Sequence, residues 1–330
     1  MSFFSIFLAL VIEQVRPLSG QHFLHQSLRQ WAAWVARHVD AGQKQQSWLA
    51  WSIAVGAPAL LALAVHWLLA LTLGWVFAVA WNVALLYATL GFRQFSHHFT
   101  DIRDALEDGN ESLARELLAK WQQVDASALP RSEIVRHVIE HSVIDAHRHV
   151  FGVFFWYAVL SVVGLGPVGA VVYRVAEFTS RFWADSRTVR ADSPLFSDSL
   201  AHAATTAWQW ADWLPARATA LGFAIMGSFE DAMDGWRHHA QKFPNDNDGV
   251  ILAATAGAIH IQLGGAALKR AAFAETELDS TDTDTHTGSG STPGRVPEIG
   301  HFAQVVGLVW RTVIMWLVLV ALLTLANVLG

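Results

Sequence analysis

The chain contains no cysteine among its 330 residues, which excludes disulfides, thiolate zinc sites and a cysteine nucleophile. Charge is scarce as well: Asp, Glu, Lys and Arg together make up 15% of the chain, against about 25% in soluble globular proteins. The net charge is -6 and no Lys/Arg-rich run occurs, so nucleic acid is excluded as a partner. Walker loops, dinucleotide fingerprints, Gly-x-Ser-x-Gly and His-Glu-x-x-His are all missing. Apolar residues fill the space, at 53%, with 16 tryptophans. The indole ring favours the headgroup level of a bilayer, and Trp48, Trp51, Trp67, Trp75, Trp81, Trp156, Trp310 and Trp316 sit in or near apolar runs. This is the composition of an integral membrane protein, with the lipid bilayer as its first partner.

Hydropathy predicts an all-α, polytopic helical membrane protein with about four to five transmembrane helices. Four runs are long enough to span: Trp48 to Ala70, Trp75 to Phe92, Val150 to Val172, and Val305 to Leu329. Ser2 to Ile12 is apolar but short, and reads as a half-inserted helix or a tilted span rather than a cleaved signal peptide. The whole chain, 1–330, is expected to form one membrane domain. Within it, 93–149 is an amphipathic helical region, with a turn at Asp108-Gly109-Asn110 between two helices. Residues 174–274 form a second polar region with re-entrant candidates, 275–300 a Thr/Ser/Asp/Gly-rich disordered linker, and 305–329 the last span. The Lys/Arg distribution does not decide orientation, because basic residues flank both ends of the third span.

Ionisable residues concentrate just before that third span. Glu133, His137, His141, Asp145 and His149 recur every four residues, with Arg136, Glu140 and Arg148 on the adjoining row, so an α-helix would present them as one polar surface. Charge delivered to a membrane boundary is a functional-site signal. His141, Asp145 and His149 have the spacing to offer two imidazoles and a carboxylate to a metal ion, while a solvated, salt-bridged face is the plainer alternative. Pro244 to Gly249, reading PNDNDG, lacks the further ligands of a calcium loop and is expected to cap a small-residue helix, in which Gly257, Gly264 and Gly265 allow close packing. Arg217, two residues after Pro215, is a candidate for binding phosphate or carboxylate, with an internal Asp212–Arg217 pair as the alternative.

Five segments, in this order and spacing, resemble the CobD/CbiB family of cobalamin-biosynthesis membrane proteins, to which AmpE is a related branch. They are GNESLARELLAKW (109–121), IEHSVIDAHRHVFGVFFW (139–156), GPVGAVVYR (166–174), DWLPARATAL (212–221) and PNDNDGVILAATAGAIHIQLGG (244–265). The resemblance implies a multi-pass bacterial inner-membrane protein that acts as an acid–amine ligase. The reaction joins adenosylcobyric acid to aminopropanol or its phosphate, with ATP and magnesium as cofactors and a corrinoid or other small molecule as ligand. It carries over Glu140 as a metal or general-base residue and Arg174, Arg217, Asn245 and Tyr173 as substrate- or phosphate-binding residues, while the polar row offers Asp145 as an alternative to Glu140 and His141 and His149 as a replacement metal site. A second copy of the chain is a further candidate partner. The chain departs from the family pattern where acidic residues are expected, carrying Ile144, Arg148, Ser180, Trp208 and Gln209. Neutral or basic groups there do not hold magnesium. A second expectation therefore stands beside the first: a non-catalytic, AmpE-like modulator of beta-lactamase induction.

Overall fold

A computed structural model describes residues 2–15, 21–188, 196–265 and 290–329. The elements, in chain order, are α1 (Ser2–Val15), α2 (Gln21–Val39), α3 (Lys44–Thr72), α4 (Trp75–Thr89), α5 (Phe92–Glu107), α6 (Glu111–Gln122) and α7 (Arg131–Ala146), then a π-helical turn at His147–Phe151. There follow α8 (Gly152–Val162), α9 (Val168–Thr188), α10 (Asp198–Met226), α11 (Phe229–His239), α12 (Asp246–Ile259) and α13 (Gly300–Leu329). The described residues are helical apart from turns and two isolated β-bridges, so the all-α expectation holds. Where one domain was expected, contacts group the chain into two compact units, Met1–Gly91 with Arg148–Pro215 and Leu317–Gly330, and Phe92–His147 with Ala216–Trp316.

In the first unit, α3 is apolar and long enough to cross a membrane, as is α13, whose C-terminal end belongs here. The expected span Trp75 to Phe92 is a helix of 15 residues, about 22 Å long where a hydrocarbon core is about 30 Å thick. The expected span Val150 to Val172 is not one helix. It divides into α8 and α9, because Gly164 and Gly166 adopt left-handed φ of 78° and 53° and Pro167 follows them. The two helices pack closely and antiparallel: a Cβ on Gly152 would lie 2.1 Å from the Tyr173 ring, and one on Gly169 would lie 2.1 Å from the Trp156 carbonyl. The unit's core gathers Val35 of α2, Ala50 and Ala54 of α3, Trp183 of α9, and Leu200 and Ala204 of α10.

Two prolines lie inside long helices of this unit, and each is answered in the same way. Pro58 has no N–H for the Ala54 carbonyl one turn earlier. The Trp31 indole donates to that oxygen at 3.0 Å. Pro215 frees the Ala211 carbonyl, and the Trp156 indole donates to it at 2.8 Å. In an apolar surrounding an unpartnered carbonyl carries the full desolvation penalty, so these two tryptophans complete the helix ladders.

The second unit is built from shorter amphipathic helices. Gly109, at a φ of 76°, turns the chain between α5 and α6, and the Asn110 side chain accepts the Leu113 N–H at 3.1 Å, as the Asp-Gly-Asn signal predicts. Asn245 caps α12 in the same way, accepting the Asn247 N–H at 3.3 Å. The α11 and α12 backbones approach so closely that a Cβ on Gly257 would fall 2.1 Å from the Asp231 carbonyl. Gly264 and Gly265 serve otherwise, as positive-φ residues of the chain leaving α12.

The linker expected over 275–300 lies outside the described residues as far as 289, and from 290 onward it is ordered. Thr292 exchanges backbone and side-chain bonds with Leu263 at 2.7 and 2.8 Å, and Arg295 N–H donates to the His260 carbonyl at 3.0 Å. Pairing with the segment after α12 supplies the partners that its own polar composition does not.

Candidate functional site

Most of the candidate residues belong to one or the other of two polar clusters. In the second unit the centre is Arg136, whose side chain is 4% exposed. Its guanidinium donates to Glu133 at 2.6 and 3.0 Å and to Glu140 at 2.9 and 3.1 Å, the i−3 and i+4 neighbours on α7. It also donates to His137 Nε2 at 2.8 Å, which places that imidazole's proton on Nδ1. Burial, then the Arg136 charge, lowers the His137 pKa to about 4. Glu140 accepts the Gly264 N–H at 2.7 Å. Burial nevertheless outweighs Arg136 and that N–H, and holds the carboxyl above its ordinary range.

The same unit joins further pieces of the five segments. His147 Nδ1 lies 2.9 Å from Thr219 Oγ1, both buried. Arg217 donates to Asn247 Oδ1 at 2.6 Å, and Asn245 donates to Asp248 at 3.0 Å. Asp145 lies 3.5 Å from His141 Nε2. His141 meets the Trp121 ring edge to face, and His98 stacks on the same ring. Structure thus brings together IEHSVIDAH, the Pro-Ala-Arg element and the PNDND helix start. Arg136 stood on the polar row, whereas Thr219 and Asn247, the partners of His147 and Arg217, are residues that sequence reasoning had not singled out for the site. Both act through contacts distant in sequence, so no local signal marks them.

In the first unit, Tyr173 donates to Asp212 at 2.8 Å, with both side chains buried and the tyrosine ring tilted against Trp208. Arg174 donates to Glu177 Oε2 at 3.0 Å, and Arg181 lies 2.5 Å from Oε1 of the same carboxylate. Burial raises the Glu177 pKa, but Arg181, Arg174 and Arg148 together more than reverse that, and it stays ionised below its usual range. His149 is buried beside Gly91, where a Cβ would sit 2.6 Å from its Nδ1. Burial, then Arg174, Arg181 and Arg148, holds it neutral.

Among the described residues no group of three or more His, Asp or Glu side chains could hold a metal ion, so the expected His141–Asp145–His149 set does not form. The cause is local. His147–Phe151 is π-helical, and its wider turn breaks the four-residue spacing on which that row depended.

The family profile described as CobD/Cbib protein matches residues 7–288. The chain belongs to the CobD/CbiB family. Its relatives include proteins named Cobalamin biosynthesis protein CobD from Chromobacterium violaceum, 31% identical over 63% of each chain, and from Stutzerimonas stutzeri, 29% identical over 84% of this chain and 81% of the relative. A third, from Leptospira interrogans, is 31% identical over 58% of this chain and 59% of its own. The chain thus spans less than two thirds of the Chromobacterium and Leptospira relatives. No solved structure matches. The AmpE-like alternative receives no support from these matches.

Proposed function

We propose that this CobD/CbiB member acts in cobalamin biosynthesis as a multi-pass inner-membrane protein. Its reaction would be amide formation between adenosylcobyric acid and aminopropanol or aminopropanol phosphate. The observation that carries the reading is the family match across residues 7–288, which includes every candidate residue. Membrane residence is supported by the exposed apolar faces of α1, α3 and α13, among them Phe4, Phe7, Leu60, Leu61, Leu68, Leu71, Leu319 and Leu322. In water such bands would be an aggregation surface, whereas in lipid they are solvated.

The proposed reaction class uses ATP and magnesium, but the acidic residues seen here do not fit a magnesium site. Glu140 is held by Arg136 and Gly264 N–H, Glu177 by Arg174 and Arg181, Asp212 by Tyr173, and Asp145 stands with His141. No step is therefore assigned to the metal. What these residues offer is anion recognition and orientation: guanidinium forks at Arg174 and Arg217, each fixed by a hydrogen-bonding partner. The test is complementation of a strain lacking the synthase, scored as growth that depends on corrinoid amidation. Restored growth supports the reading. Absent growth, with the protein shown to be expressed and in the membrane fraction, overturns it.

A further inference from the structure

Helix α2 has no acidic residue: QHFLHQSLRQWAAWVARHV carries Arg29 and Arg37 as its fixed charges. Lys44 follows at the start of α3, and Asp40 between them accepts from the Gly42 N–H and from the Ser47 and Ser197 hydroxyls. Arg29, Arg37 and Lys44 are exposed, and among the described residues no carboxylate pairs with them. This is a basic stretch in a chain whose net charge is -6. The other side of α2, Ala32, Val35 and Ala36, is buried against Ala50 and Ala54 of α3. The core residues of α2 run from Trp31 to Val39, about 12 Å along its axis, whereas those of α3, Ala50 to Ala54, cover about 6 Å. The helix therefore lies across the start of the span instead of running beside it. With 29 residues, α3 is about 43 Å long where the hydrocarbon core takes about 30 Å. Its apolar run begins only at Trp48, after Lys44-Gln45-Gln46-Ser47, so its first turns lie at the boundary. Tryptophan marks the same level. Trp31 stacks on Trp34 and donates to the Ala54 carbonyl, Trp34 stacks on His38, and Trp48 stacks on Trp210. Trp34 is 47% exposed and Trp210 is 70% exposed, and indoles gathered at one end of a span belong to the headgroup layer.

We propose that the outer face of α2, with Arg29, Trp34, Arg37 and the adjoining Lys44, is a binding surface for anionic phospholipid, and that α2 lies in the headgroup layer as an interfacial helix. Its inner face is anchored in protein. Its outer face offers an indole to the acyl boundary and cations to headgroup phosphates, with no acid on the helix to repel them. The surface is continuous with the lipid-facing side of α3, where Leu49, Leu60 and Leu61 are exposed. That a bilayer lies against this unit rests on the proposed membrane residence, while the preference for anionic lipid rests on the charges of α2 and its junction with α3.

The test uses the full chain purified in neutral detergent, with phosphatidylglycerol or phosphatidylcholine titrated in and bound lipid counted by native mass spectrometry. Each basic residue beside anionic lipid contributes a factor of roughly five. The wild type should therefore prefer phosphatidylglycerol by roughly tenfold or more, and Arg29→Gln combined with Arg37→Gln should abolish most of that preference while leaving phosphatidylcholine binding unchanged. Arg29→Lys combined with Arg37→Lys should keep it, because the attraction is to charge. Trp34→Ala should weaken both lipids alike, and Arg103→Gln, in the second unit, should change neither. If the glutamine pair does not fold, Lys44→Gln carries the test, with an expected loss of roughly fivefold. A wild type that holds both lipids equally overturns the proposal, as do glutamine variants that keep the full preference. Displacement of phosphatidylglycerol by an equal concentration of inorganic phosphate overturns it too, assigning the cations to a soluble anion. A chain recovered in the soluble fraction without detergent removes membrane residence and this surface with it. A chain that stays in the membrane fraction and restores growth but binds both lipids alike loses this surface alone.

Discussion

Both units hold buried ion pairs, but they complete their helix backbones by different means. In the first, the polar backbone is completed by tryptophan: Trp31 and Trp156 each donate to a carbonyl that a helix-interior proline leaves open. Its large apolar side chains face outward along α1, α3, α4 and the end of α13. In the second, side chains carry the polar work through the Glu133–Arg136–Glu140 chain, the Asn110 and Asn245 caps and the Arg217–Asn247 bond. Its α5, α6 and α11 are amphipathic, and its large apolar residues are mostly inside. A group with no water to fall back on needs a partner built into the fold, whereas one near water can use longer, charged side chains.

The comparison is broken most severely at Arg136. Replacing it with Met leaves Glu133 and Glu140 without their shared cation, and destabilisation of about 3–5 kcal/mol is expected in denaturant titration. A loss under 1 kcal/mol would reduce the network to surface decoration.

His137 gives the next effect. Its folded pKa of about 4 lies below its ordinary value of 6.5, so the unfolded chain binds the extra proton between those limits. The associated stability is complete above about pH 6.5 and is lost as pH falls towards 4, to the extent of about 3 kcal/mol. His137→Gln should flatten the pH profile of unfolding across that window. Glu140, whose folded pKa is raised, has the opposite sign: its contribution is present at low pH and is lost as pH rises through the folded value.

In the first unit, Trp156→Phe should lower stability by about 1–3 kcal/mol through the exposed need of the Ala211 carbonyl. Pro215→Ala restores a backbone donor, so the same tryptophan change made in that background should cost much less. A cycle with no coupling would show that the indole bond contributes nothing. Asn245→Ala, in the second unit, removes one helix cap and is expected to cost only about 1 kcal/mol, read from the unfolding midpoint.

Much of this architecture was legible in the residues. Hydropathy located α3 and α13, and the Asp-Gly-Asn turn and PNDNDG cap were readable because turn chemistry is local. Val150 to Val172 misled because a hydropathy window averages over Gly164, Gly166 and Pro167, which bend the chain without being polar. The histidine row misled because a spacing of four presumes an α-helix, and nothing in HRHVF announces a π turn. Residues 290–300 are ordered by partners near 261–264, a pairing that low-complexity composition conceals. Of the two ion-pair clusters, the i, i+3 and i, i+4 relations of Arg174, Glu177 and Arg181 could have been read in advance. That the Arg148 charge acts on Glu177 depends on the fold and could not.

The absence of cysteine allows the central contrast to be measured directly, since single cysteines can be introduced into an otherwise thiol-free chain. In native membranes, Leu61→Cys, Leu68→Cys and Leu322→Cys, on the outward apolar faces, should resist a membrane-impermeant maleimide. Asp108→Cys, in the turn between α5 and α6, and Glu116→Cys, on α6, should label rapidly. Rapid labelling of all five positions would contradict a lipid-facing first unit, and uniform protection would contradict a water-facing second one.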